Sequence, residues 1–347
     1  MSYLKQVHQG QGGSSARRKR DVLLTWGKGA KVVNKKMKLL IAYDGSSSAD
    51  TALDDLLRAG LPAEAGAIVI SVADIFMPRV AGSEGNDTKA AMLSYGSSAV
   101  RRRLEQVSHA LEEARQWATT ASERLHTQFP AWDVQTEVCG HSPAWAIVEK
   151  ADEWKPDLIV LGSHNRSALG RLFLGSISQT VLTKARCSVR IARGRLGRDT
   201  SPLQILIGVD GSPGAEMAVA EAAKRAWPPD AEAHLVAVLD RAMSTALDWS
   251  KEGFKDERAW IERILATSTE KLQACGLSVS GIVKDGDAKE VLVEEAERRR
   301  ADCIFLGARG LRRLERFLLG GVSTAVATRA HCSVEIVRPQ YTTEQED

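Results

Sequence analysis

Along this chain of 347 residues the apolar positions follow two spacings. Unbroken apolar runs at 38–43, 67–73, 133–138, 157–162 and 187–192 predict five strands, and runs at 203–209, 233–239, 278–283, 302–307 and 332–337 predict five more. Between the runs, apolar residues return every third or fourth place. The clearest stretch is 98–127, where Val100, Leu104, Val107, Leu111, Ala114, Ala118, Ala121 and Leu125 make a stripe that a helix buries on one face. In the second series, helices are expected to begin near Pro213, Lys255, Ala288 and Gly321.

Strands that are apolar throughout, alternating with helices, predict an α/β chain with parallel sheets covered on both faces. Five strands in this order can be wound 3-2-1-4-5, a doubly wound sheet whose first and fourth strands are neighbours with connections leaving on opposite faces. A crevice then opens beyond the carboxyl ends of those two strands. Asp44 and Gly162 end them in the first series, Asp210 and Gly307 in the second.

The two series are copies of one unit. Leu161-Gly162-Ser163-His164-Asn165, followed after nine residues by Gly175-Ser176, returns as Leu306-Gly307-Ala308-Arg309-Gly310 followed after nine by Gly320-Gly321. An offset of 145 relates Gly162 to Gly307, Gly175 to Gly320 and Cys187 to Cys332, whereas Asp44 and Asp210 differ by 166. The first copy therefore carries roughly twenty extra residues, placed most simply between Phe76 and Ser97, where glycine and polar residues dominate. The expected division is a basic, disordered extension at 1–36, a first domain at 37–193, a linker at 194–202, a second domain at 203–339 and a tail at 340–347.

Charge refines this division. Residues 1–36 hold nine Lys and Arg against the single acid Asp21, and the remaining 38 bases face 43 acids, so the body of the chain is acidic despite a net charge of +3. Any nucleic-acid contact would rest on Arg17-Arg18-Lys19-Arg20. A short basic run is ordinarily solvated charge, and a nucleic-acid partner is disfavoured. Met37, just before the first strand, is expected to be the natural start of translation. The apolar runs are too short for a membrane span, the N-terminus lacks the apolar core of a secretory leader, and neither is expected. Five scattered cysteines read as reduced thiols of a cytoplasmic protein, with Cys187 and Cys332 in the core.

The chemistry of the two sites starts from glycine. Gly162 and Gly307 end strands, Gly175 and Gly320 open helices, and the loops between them must return over the crevice. Glycine leaves no side chain in the way of a phosphate, and a helix N-terminus offers unsatisfied N–H groups and partial positive charge. Ser176 and Ser178 add hydroxyls in the first copy; the second has Gly321 for the first of these, keeps Ser323, and carries Arg309 where the first has His164. A plainer reading uses the same residues as turns and N-caps, including Asp44, Asp210 and Ser46-Ser47-Ser48.

The strand ending in Asp-Gly-Ser, the G-x2-G-x9-G-[ST] spacing and the closing Cys-Ser-Val strand together resemble the universal stress protein family in its tandem form, over about 37–339. The resemblance implies the adenine-nucleotide α-hydrolase-like fold and an ATP or AMP site, with magnesium entering through the phosphates. It implicates Asp44, Gly162, His164, Asn165, Gly175, Ser176 and Ser178, and in the second copy Asp210, Gly307, Arg309, Gly310, Gly320 and Ser323, with Val72 and Val238 flanking the base. Asn165 in the first copy and Gly321 in the second depart from the pattern; the first copy is favoured because both of its hydroxyls, Ser176 and Ser178, survive.

These readings lead to a cytoplasmic, nucleotide-dependent stress-response regulator. The alternatives are a nucleotide-free interaction scaffold and a weak ATPase; no P-loop G-x4-G-K-[ST] is present, which counts against evolved hydrolysis. The fifth strand of each domain would lie at a sheet edge, an aggregation hazard unless paired. Pairing 188–192 against 333–337 closes both edges within one chain, and further dimerisation is left open.

Overall fold

The computed structural model describes residues 36–75, 97–163, 174–194, 202–239, 251–310 and 319–339, with backbone alone at 97–100 and 251–256. The extension at 1–35 and the insertion at 76–96 lie outside the described residues, as do His164 and Asn165.

The first half runs β1 (Met37–Ala42), α1 (Ser47–Asp55), β2 (Ala65–Asp74), α2 (Ser97–Gln128), β3 (Asp133–His141), α3 (Pro143–Trp154), β4 (Leu158–Gly162), α4 (Ser176–Lys184) and β5 (Ser188–Ala192). The second repeats the order as β6 (Gln204–Gly208), α5 (Pro213–Ala223), β7 (Glu232–Leu239), α6 (Lys251–Gln273), β8 (Ser278–Asp285), α7 (Ala288–Arg298), β9 (Cys303–Gly307), α8 (Gly321–Arg329) and β10 (Ser333–Val337). Each predicted strand is present within a few residues of its expected bounds. Among the described residues no helix is long and apolar enough to cross a membrane.

All ten strands form one sheet in the order β3-β2-β1-β4-β5-β10-β9-β6-β7-β8. Each half is parallel and wound 3-2-1-4-5, as the alternation of runs and stripes requires. The halves join antiparallel through their fifth strands, with Val334 opposite Ile191, Glu335 opposite Arg190 and Ile336 opposite Val189. Both edges that the sequence left open are thereby closed inside one chain.

The core follows the strand pleat. On one face a single apolar cluster crosses the joint, carrying Val181, Leu182, Val189 and Ile191 of the first half and Val326, Ala327, Val334 and Ile336 of the second. On the other face each half has its own cluster, one around Leu39, Ile41, Val69 and Leu125, the other around Ile205, Ile207, Leu235 and Leu272. Between those two clusters the fifth strands present Arg190 and Glu335, both buried, so the strands are not apolar throughout as the sequence suggested.

The stripe on α2 departs from expectation. Ala114, Ala118, Ala121 and Leu125 are buried, but Val107 and Leu111 are half-buried and Leu104 is 58% exposed. A helix of 32 residues spans about 48 Å and a strand of ten about 33 Å, so α2 outruns the strands it covers. A methyl at Gly140, near the end of β3, would meet the Leu111 side chain at 3.7 Å, which places the overhanging turns beyond the carboxyl edge of the sheet.

Candidate functional site

Register brings the motif residues together. Ile41 stands opposite Val160 and Ile207 opposite Phe305, so continuing the ladders sets Asp44 one step past Gly162, level with Ser163, and Asp210 one step past Gly307, level with Ala308, at the carboxyl ends of adjacent parallel strands. Ala42 pairs with Ile70 and Gly208 with Val236, which places half-buried Val72 and Val238 level with the two aspartates on the neighbouring strand.

The strand-to-helix turn is built alike in both halves. Asp44 Oδ1 accepts from the Ser46 backbone N–H at 3.1 Å, and Asp210 Oδ1 accepts from that of Ser212 at 2.9 Å. The turn passes through Gly45 (φ +68°) and Gly211 (φ +75°), where a side chain is strained. The hydroxyls of Ser46 and Ser212 then accept from Ala49 N–H at 3.2 Å and Ala215 N–H at 3.1 Å, capping α1 and α5. Each aspartate thus commits one oxygen to the turn and can offer the other to the crevice.

The strand-end glycines serve packing. A methyl on Gly162 would run into the backbone of Ser48 and reach Ala49 N at 3.0 Å; on Gly307 it would collide with the backbone of Gly214. Close approach of the helix start to the strand end needs a bare Cα at both positions. Buried Ser178 donates its hydroxyl to the Gly162 carbonyl at 3.1 Å, and buried Ser323 donates to the Gly307 carbonyl at 2.7 Å. Their hydrogens hold α4 and α8 to the strand ends.

Backbone donors remain for an anion. Gly175 and Gly320 occupy the N-cap positions of α4 and α8, and neither helix has a side-chain cap. Their first-turn N–H groups therefore depend on solvent or a ligand. Ser176 and Gly321 are exposed at these helix starts, and the space beside Gly321 is open.

In the second half the loop lies on the aspartate. A methyl on Gly310 would stand 2.5 Å from Asp210 Oδ2, and the carbonyl of half-buried Arg309 accepts from the Ser212 hydroxyl at 3.3 Å. Asp210 is half-buried whereas Asp44 is exposed.

Sequence reasoning missed the indoles that line the turns. Trp117 of α2 packs on Gly45, where an added methyl would meet its ring at 2.6 Å, and Trp260 of α6 packs on Gly211 in the same way. A tryptophan in each long helix was the available signal. Tyr43, beside Asp44, donates to Asp50 Oδ1 at 2.7 Å, and its pKa is pushed up to about 12 by burial and then by that hydrogen bond, so it stays neutral. Burial likewise pushes the thiols of Cys187 and Cys332 up to about 12, so both stay protonated near neutral pH.

Comparison with known proteins agrees with this architecture. The profile of the universal stress protein family matches residues 36–193 and again 203–338. A universal stress protein of Mycolicibacterium smegmatis is 28% identical over 251 residues, covering 71% of this chain and 81% of that protein. One from Mycobacterium tuberculosis is 30% identical over 210 residues, covering 59% and 69%. In fold, the chain is similar to a universal stress protein of Archaeoglobus fulgidus with a TM-score of 0.57 at 18% identity, covering 87% of this chain and 96% of that one. Two copies of the profile, wound identically and joined in one sheet, make the chain a tandem member of the universal stress protein family.

Proposed function

We propose that this protein binds an adenine nucleotide, ATP or AMP, in the crevice between β1 and β4, and acts as a cytoplasmic stress-response regulator whose conformation or partner choice follows nucleotide occupancy. The observation that carries the reading is the meeting of two unfilled capacities on one sheet edge. Asp44 keeps an oxygen for the ribose hydroxyls, and the uncapped start of α4 at Gly175 keeps N–H donors for phosphate. Val72, level with Asp44, offers apolar surface to the base. His164 and Asn165 belong to this proposed site through the family resemblance.

The second crevice, with Asp210, Val238, Gly307, Arg309, Gly310, Gly320 and Ser323, is the weaker of the two in this proposal, because Gly310 lies against the carboxylate that would greet the ribose. Magnesium would arrive with the phosphates: among the described residues no three His, Cys, Asp or Glu side chains gather as metal ligands.

The test is direct. Nucleotide released by denaturing freshly purified protein is identified by mass spectrometry, and calorimetry with ATP, ADP and AMP is repeated on Gly175→Val, Gly320→Val and Asp44→Ala. Loss of binding in Gly175→Val and Asp44→Ala, with Gly320→Val near wild type, supports the reading. No binding of any of the three at millimolar concentration would replace it with a protein-interaction scaffold, and metal-dependent phosphate release lost in Asp44→Ala would make the protein an ATPase.

A further inference from the structure

The joint between the halves carries an unusual pair. Arg190 and Glu335 are related by the repeat offset of 145 and also stand opposite one another in the antiparallel ladder, as Val189 and Ile191 do with Ile336 and Val334. The local twofold axis relating the halves therefore passes between Arg190 and Glu335. A position on such an axis meets its own equivalent. In two like halves it would meet itself.

Here the position has diverged into opposite charges, 1% and 0% exposed, with Arg190 donating to Glu335 Oε2 at 3.2 Å. The surroundings have diverged with it. Arg190 is held in its own half by Asp55, at 2.6 Å and 3.2 Å, and Asp55 also accepts from Ser333 of the other half at 2.6 Å. Glu335 is held in its own half by Arg225, which donates to Glu335 and to the Ala59 carbonyl across the joint. Glu221 lies 3.5 Å from Arg225.

We infer that this charge pair keys the joint to unlike halves: β5 accepts β10, and neither strand accepts a second copy of itself. In a joint of two second halves, two buried carboxylates would face each other across the axis. In a joint of two first halves each Arg190 would retain its Asp55, but the arms now spent on Glu335 would point at one another with no acceptor. Like charges directly opposite in an antiparallel pair are destabilising, and a buried charge stripped of its partner costs far more than an exposed one. Recognition arises from what the wrong pairing would bury as much as from what the right one gains. The apolar face of the joint, with Val189 and Ile191 against Val334 and Ile336, supplies adhesion without discrimination.

The tether between the halves would mask this preference, so the test cuts it. A protease recognition sequence is placed between residues 194 and 202, the folded full chain is cleaved, and the halves are dissociated in urea and returned to buffer. Native mass spectrometry then counts like and unlike pairs. Unlike pairs are expected in about hundredfold excess for the wild-type chain. Glu335→Gln, which leaves Arg190 on Asp55, is expected to release pairs of two second halves alone, and Arg190→Gln combined with Asp55→Asn, which strands no acid, pairs of two first halves alone. In the uncut chain, Glu335→Gln sediments as the wild type does, whereas Arg190→Glu, with two acids on the axis, opens the joint and self-associates with concentration beyond the wild type in sedimentation velocity. Like pairs at their statistical share in the cut wild type, the same pair distribution in both glutamine variants as in wild type, or an Arg190→Glu chain that sediments and melts as the wild type does would each overturn the inference.

Discussion

Gly307 and Gly214 meet backbone to backbone, so that a single methyl on either would strike main-chain atoms of the other's segment: Gly214 itself in the one case, the Arg309 carbonyl in the other. The contact fixes how closely α5 can approach the end of β9. Gly162 repeats it against Ser48.

Gly307→Ala and Gly162→Ala are therefore expected to destabilise the fold by about 1–3 kcal/mol, because backbone, unlike a flexible side-chain tip, cannot move aside at small cost. Thermal unfolding checks this. Gly321→Ala is the control: open space surrounds that Cα and its melting temperature should be unchanged or slightly raised.

That pair also shows what was legible in the sequence. The positions that must lack a side chain stood out, because an excluded Cβ constrains one residue at a time and repeats with the domain. Their reason did not. Gly162 looked like a place for phosphate, but its neighbour is Ser48, more than a hundred positions away, and no local pattern announces a partner at that distance. Strand order was legible for the opposite reason, since five apolar runs alternating with helices leave few ways to wind a parallel sheet. The charged cluster of Arg190, Glu335, Arg225 and Asp55 was illegible, because each member taken alone reads as ordinary surface charge and only the joint gathers them. In the candidate site the aspartates and glycines were visible in the motif, while the commitment of Ser178 and Ser323 to strand-end carbonyls needed coordinates.

Ser323 gives a way to separate scaffolding from binding. Its hydroxyl is buried on the Gly307 carbonyl, so Ser323→Ala is expected to lose about 1 kcal/mol of stability and to leave AMP affinity unchanged in calorimetry. A drop in affinity without a drop in melting temperature would show the hydroxyl turned toward ligand instead.

Acid stability should report on Glu295. Hydrogen bonding from Arg298, helped by Lys284 at 2.7 Å, outweighs burial and holds its carboxyl at about 2. A carboxylate whose pKa is lower folded than unfolded adds stability above the unfolded value of 4.5, and that contribution drains away as pH falls toward 2. Arg298 and Lys284 are 58% and 46% exposed, which screens the pairs and brings the expected contribution to about 2 kcal/mol. Urea unfolding should find Glu295→Gln less stable by that amount at neutral pH, with the difference closing toward pH 2.

Alkaline stability should report on Tyr43. Its pKa of about 12 lies above the ordinary 10.0, so the folded state favours the neutral phenol. The resulting stability is complete below pH 10 and is lost as pH climbs from there toward 12. Tyr43→Phe removes the titrating group, and its stability should fall less steeply over that interval. In the wild type, tyrosinate absorbance should show one residue ionising well above pH 10; a single transition near pH 10 would contradict the assignment.

Arg225 is one of two arginines paired with buried Glu335 at the joint. Burial pushes the Glu335 carboxyl up, and Arg225 and Arg190 pull it back toward the ionised form. Arg225→Met removes one of those two cations and the bond to the Ala59 carbonyl, leaving Glu335 fully buried with Arg190 alone. Breaking one side of a buried pair costs on the order of 3 kcal/mol, most of it the stranded charge and little of it the lost attraction. The double variant Arg225→Met, Glu335→Leu strands no acid on β10, and Arg190 keeps Asp55, so it should recover most of that loss. Chemical denaturation of the two variants separates the explanations: if the double variant is no more stable than Arg225→Met, the arginine stabilises by packing, through its contact with the Phe305 ring, and not by neutralising Glu335.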